Sequence, residues 1–193
     1  MKRRLALLLA AAPLLAGDGT QVLPLRTQLS VEDAKLPGGE TMGLLGLTTT
    51  TDLGPFYIGA GLYGAAWGQR GGFFNYGLEG GLRGRPFDSL PVEFDAGLYA
   101  GGGGGAAAPQ GQGLMLRPHA GAALVLGRFR FGAQLSEVRF PHGGFDSTEA
   151  AFTVAYTTDH LWRPEGGWGG PFSGPVSWGG RELEGEAISV RPA

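Results

Sequence analysis

From about residue 25 the chain alternates apolar and polar positions with a period of two. In "PVEFDAGLYAG", Val92, Phe94, Ala96, Leu98 and Ala100 share one face, and Glu93, Asp95, Gly97, Tyr99 and Gly101 share the other. Successive side chains of a strand point to opposite faces, so this segment has an apolar side and a charged side. The same split recurs in "PFYIGAGLYGAAW", "FFNYGLEGGLRG", "LMLRPHAGAALVLG", "RFRFGAQLS" and "TEAAFTVAYT". Two weaker segments, Leu25–Leu36 and Met42–Leu53, precede them. The pattern predicts an all-β chain of about eight strands.

Most of these segments reach about ten residues, longer than the usual strand of a soluble sheet and close to what a tilted strand needs to cross a bilayer. The connections alternate as well. "DLGPF", "RPFDSLP" and "LGRF" are short, whereas "LPGGET", "GQRGG", "GGGGGAAAPQGQG" and "FPHGGFDS" fall at the opposite end. Short turns at one end and longer loops at the other are the pattern of an antiparallel, up-and-down transmembrane barrel. An even strand count leaves both termini on the short-turn side.

Cost assigns the faces. A charge facing lipid at mid-bilayer costs about 2–4 kcal/mol, so the apolar faces are expected outward and the charged faces inward. The expected lumen charges are Arg26, Glu32, Glu79, Arg83, Glu93, Asp95, Arg117, His119, Arg128, Arg130 and Glu149. An eight-strand barrel is just wide enough to be filled by side chains, so these groups are expected to pair with one another and to leave no open channel. Trp67, Phe73, Phe87 and Phe140 fall near strand ends, where interfacial aromatics belong. The competing fold, a soluble sandwich or lipocalin-like barrel, would bury the apolar face inside. Against it, the polar face is Gly, Tyr and Arg rather than Lys, Glu and Thr.

The ends differ from the middle. "MKRRLALLLAAAPLLAGDG" has a basic start at Lys2, Arg3 and Arg4, an apolar run and small residues at Ala16 and Gly17. It reads as a cleaved Sec-type signal peptide over residues 1–17, too short to span a membrane. The barrel is expected over 25–162, and residues 163–193, rich in Gly, Pro and Trp, read as a C-terminal extension. The formal net charge is −2, and loss of the three leading cations makes it more acidic. No global basic footprint for nucleic acid exists. There are no cysteines, which excludes disulfides, thiolate metal sites and a cysteine nucleophile.

Few residues suggest chemistry. The five glycines from Gly101 are followed by "AAAPQGQ" and a strand, without the Lys and helix that a phosphate loop requires. His119, His142 and His160 lack metal-ligand spacing, so no metal and no cofactor is expected. His142, Ser147 and Glu149 lie near one rim, where a hydroxyl nucleophile with a base would suit a hydrolase. Glu93 and Asp95 share a strand face, which suits acid–base work but suits a lumenal ion-pair network better.

Taken with the signal segment and the asymmetric loops, the eight alternating strands resemble small bacterial outer-membrane β-barrel proteins of the eight-stranded type. The resemblance covers about Leu25 to Trp162 and is architectural. It implies residence in the outer membrane, contact with its lipid and lipopolysaccharide, insertion by barrel-assembly machinery, and a structural or surface-interaction role without catalysis. The alternatives are a narrow pore for small solutes and a rim-located lipid A-modifying hydrolase, although the tight His-x-Ser pattern of such deacylases is missing. External loop residues expected to meet a surface ligand are Gly103, Gln110, His142 and Asp146.

Overall fold

The computed structural model describes residues 21–87, 89–109, 111–162, 176–178 and 181–183. The expected signal segment and most of the expected extension lie outside the described residues. Eight antiparallel strands form a closed barrel, each hydrogen-bonded to the next in sequence. They are β1 (Gln21–Lys35), β2 (Thr41–Leu53), β3 (Phe56–Gly68), β4 (Phe74–Gly84), β5 (Val92–Gly104), β6 (Leu114–Leu126), β7 (Phe129–Phe140) and β8 (Phe145–Trp162). A separate short hairpin pairs β9 (Val176–Trp178) with β10 (Arg181–Leu183). Among the described residues there is no α-helix.

Closure removes the sheet edges, which would otherwise offer unpaired backbone groups. At the seam, the Lys35 N–H donates to Ser147 Oγ at 2.8 Å, and Thr158 Oγ1 donates to the Leu25 carbonyl at 3.3 Å. Residues 54–55, 85–91 and 127–128 connect strands at one end, and residues 36–40, 69–73, 105–113 and 141–144 at the other. Gly54 and Gly127 open the two tightest hairpins with φ of +67° and +60°, as such turns demand.

The wall obeys the two-residue period. Leu78, Leu135 and Phe152 point outward and are 66%, 68% and 71% exposed, and Ile58, Leu98 and Phe131 share that surface. Among the described side chains of β1–β8, the outward Asp, Glu, Lys and Arg residues are Asp33, Lys35, Glu137, Arg139 and Asp146, at the long-loop ends of β1, β7 and β8. The apolar face is thus on the outside, the reverse of a lipocalin-like arrangement.

One irregularity shapes the wall. The β2–β3 register shifts between Gly43 and Leu44. The bulge turns Trp67 outward, and its indole lies over Gly43, where a Cβ would collide with the ring. The Trp67 Nε1–H reaches across β2 to donate to Asp33 Oδ1 at 2.7 Å.

Candidate functional site

The barrel interior is layered. Nearest the short turns, Arg26 forks onto Glu93, with Nη1–Oε1 and Nη2–Oε2 at 2.5 and 3.1 Å. Arg83 Nη1 donates to Asp52 Oδ1 at 2.6 Å, and Arg26 Nη2 lies 3.9 Å from Asp52 Oδ2. The Nε atoms of Arg83 and Arg130 each stand 4.0 Å from Glu93 Oε1. Three guanidinium groups therefore surround one carboxylate.

The next layer is centred on His119. Its Nε2 is 2.9 Å from the Tyr57 hydroxyl, 3.6 Å from Glu79 Oε1 and 3.5 Å from Asp95 Oδ2. Asp95 also accepts from Gln134 Nε2 at 2.9 Å. Tyr57 is clasped from below by Arg83, whose guanidinium carbon is 4.1 Å from the ring centroid. Gly97 makes this possible, since a Cβ there would strike the Tyr57 hydroxyl and press on the His119 ring.

Above it, Arg117 forks onto Glu32, with Nε–Oε1 at 2.7 Å and Nη2–Oε2 at 3.0 Å. Ser136 also donates to Glu32. Arg117 covers the Tyr63 ring at 5.2 Å, Tyr63 meets Tyr99 edge-on at 4.8 Å, and the Tyr99 hydroxyl donates to Asn75 Oδ1 at 2.8 Å. Glu149 accepts from Ser147 Oγ at 2.9 Å and lies 3.6 Å from Lys35 Nζ.

At the long-loop end the lining turns apolar. Met42, Leu44, Met115, Val138 and Phe140 from the strands join Leu36, Phe73 and Ala108 from the connections in one buried cluster. Phe73 and Phe140 meet edge-on at 5.7 Å.

The structure brings most of the expected lumen residues together. Arg26, Glu32, Glu79, Glu93, Arg117 and His119 are buried, and Arg83, Asp95, Arg130 and Glu149 are partly so. Arg128 is not among them. It sits in the turn 127–128, outside the alternation, and its side chain is exposed. Phe73 and Phe140 are 2% and 1% exposed and face the lumen rather than ring the wall: Phe140 falls on the inward parity of β7, and Phe73, in the connection just before β4, continues the inward parity of Asn75. Of the expected loop residues, Gly103 belongs to β5 opposite Asn75, and Asp146 belongs to β8, paired with Arg139 at 3.2 Å. Both strands run further into the loops than their turn-like composition suggests. His142 is exposed in the 141–144 connection, and Gln110 lies outside the described residues.

Asp52 was missed. Its signal is inward parity with Thr48 and Thr50 on β2, a strand whose alternation is weak. The apolar plug was missed for the same reason: Met42 and Leu44 share β2 with Leu45 and Leu47, so apolar residues there occupy both faces.

Compared with protein-family models, curated proteins and solved structures, the chain matches none. The reading of the site therefore rests on geometry. Of the expected rim set, the geometry joins Ser147 to Glu149, and no hydrogen bond joins His142 to either of them among the described residues. Ser147 points inward and is engaged by Glu149 and the Lys35 N–H, while His142 is on the exposed turn. Glu93 and Asp95 have different partners, Arg26 for one and Gln134 for the other. Among the described residues no group of three or more His, Asp or Glu is arranged to hold a metal ion. Outside, an open groove of about 620 Å³ runs over Ala60, Ala100 and Gly102 between Leu78 and Leu114.

Proposed function

We propose that this chain is an integral β-barrel of a bacterial outer membrane, with a packed polar lumen and a structural or surface-interaction role rather than a catalytic one. The observation that carries the reading is the inverted distribution of polarity. Leucine and phenylalanine cover the outside, while arginine–carboxylate forks fill the inside. Soluble monomers rarely expose contiguous apolar patches beyond a few hundred Å², and a bilayer is the solvent in which such a wall is stable. Closure fits the same solvent, since every wall strand finds a partner and no sheet edge faces lipid.

The layered lumen supports a plugged barrel over a narrow pore. Arg117 and Glu32 meet across it with side chains 1% and 0% exposed, and the apolar cluster lies above them. The lipid-modifying hydrolase is the less favoured reading: Ser147 bonds Glu149 and the Lys35 N–H, and no hydrogen bond joins it to His142 among the described residues.

Cell fractionation with a heat-modifiability gel tests the proposal. The protein is expected in the outer-membrane fraction and migrates differently before and after boiling. Recovery in the soluble periplasmic fraction, with no heat-dependent shift, refutes it. Planar-bilayer recording tests the plug: steady conductance from the wild-type protein would favour the pore.

A further inference from the structure

At the long-loop end one side chain bridges three connections. Arg70, in the connection 69–73, pairs with Glu40 of the connection 36–40 through Nη2 at 2.7 Å and Nε at 3.0 Å. The same guanidinium donates through Nη1 to the carbonyls of Ala107 at 2.9 Å and Ala106 at 3.4 Å, in the connection 105–113. Three connections thus converge on one cation.

Ala106 and Ala107 have φ of +53° and +49°. Left-handed backbone is unfavourable for a residue with a Cβ and persists only when its surroundings impose it. The strain has a visible result. It turns the chain so that Ala108 N–H donates to the Gly105 carbonyl at 3.1 Å and the Ala108 side chain seats in the apolar cluster with Leu36 and Phe73. At the far side of the strap, Gly111, with φ of +58°, lies so close to the His142 carbonyl that a Cβ would collide with it.

We propose that residues 105–109 form a spring-loaded lid over the apolar plug, with the Arg70–Glu40 pair as its latch. Arg70 is a positioning residue: its charge-assisted bonds hold the Ala106 and Ala107 carbonyls in an arrangement the backbone resists. The Arg70 and Glu40 side chains are 24% and 29% exposed, so the latch is open to competition from outside the barrel. Release of the pair frees the two alanines to return to ordinary backbone and lifts Ala108 from the plug.

Hydrogen exchange at the Ala108 amide, in the detergent-folded full chain, tests the lid, with heat-modifiability confirming that each variant still folds. Arg70→Ala and Glu40→Gln are expected to speed exchange at Ala108 about tenfold or more, in line with loss of charged hydrogen bonds, while exchange at Leu98 in mid-barrel stays unchanged. Ala106→Gly with Ala107→Gly, which removes the strain and keeps the latch, is expected to slow it. Unchanged exchange in Arg70→Ala overturns the latch, and faster exchange in the double glycine variant overturns the spring.

Discussion

Arg117 on β6 and Glu32 on β1 form a two-pronged ion pair across the barrel interior, at 2.7 and 3.0 Å, with Ser136 bonded to the same carboxylate. Removing one partner of a buried pair strands the other charge, at a cost of about 3–5 kcal/mol. Arg117→Ala or Glu32→Ala is therefore expected to lower the temperature at which the folded gel band disappears. The double variant, with no stranded charge, is expected to lie closer to wild type than the sum of the single changes. A simple sum of the two effects would count against direct pairing.

Trp67 offers a local reporter. Its ring covers Gly43 and bonds Asp33, so Gly43→Val must displace the indole. Overpacking of this kind costs about 1–3 kcal/mol. In a variant whose other tryptophans are replaced by phenylalanine, Gly43→Val is expected to shift Trp67 emission and to lower folding stability. Asp33→Ala is expected to shift the emission with a smaller loss. An unaltered spectrum in Gly43→Val would refute the stacked geometry.

Gly97 sets the spacing of the middle layer. A larger residue there meets the Tyr57 hydroxyl and the His119 ring. Gly97→Val is expected to prevent folding or to reduce the folded band sharply, whereas Gly84→Val, at a position with open space around its Cβ, is expected to be tolerated. Equal tolerance at both sites would show that the lumen is loosely packed.

The outer wall carries the opposite rule. Leu98→Arg places a charge in the middle of the apolar belt, which in the proposed membrane setting costs about 2–4 kcal/mol. Arg139→Ala, near the long-loop end of β7 with its side chain 47% exposed, is expected to change stability by less than about 1 kcal/mol. Refolding titrations in phospholipid vesicles separate the two. A harmless Leu98→Arg would mean that this face meets water.

Strands such as Val92–Gly104 were legible because charge and apolarity fall cleanly on opposite parities. The interior was legible as a set of residues but not as a set of pairs. Arg26 finds Glu93, and Arg117 finds Glu32, through register steps accumulated from strand to strand, which local sequence does not encode. The plug escaped because its side chains are as apolar as the wall: at Met42, Leu44 and Val138 parity alone distinguishes inside from outside. Gly103 and Asp146 looked like loop residues because glycine and aspartate favour turns. In the barrel, Gly103 is a strand residue packed so closely against β4 that only hydrogen fits, and Asp146 is held by Arg139.

The central claim is that the apolar wall faces lipid. The chain has no cysteine, so single cysteines at Phe94, Ala96, Leu98 and Ala100 can each carry a nitroxide label in protein reconstituted into vesicles. Electron paramagnetic resonance then compares collision with oxygen, which concentrates in the hydrocarbon, against a water-soluble nickel complex. The account predicts oxygen-dominated collision at all four positions, strongest at Ala96 and Leu98. Dominant collision with the nickel complex at Leu98 would contradict it.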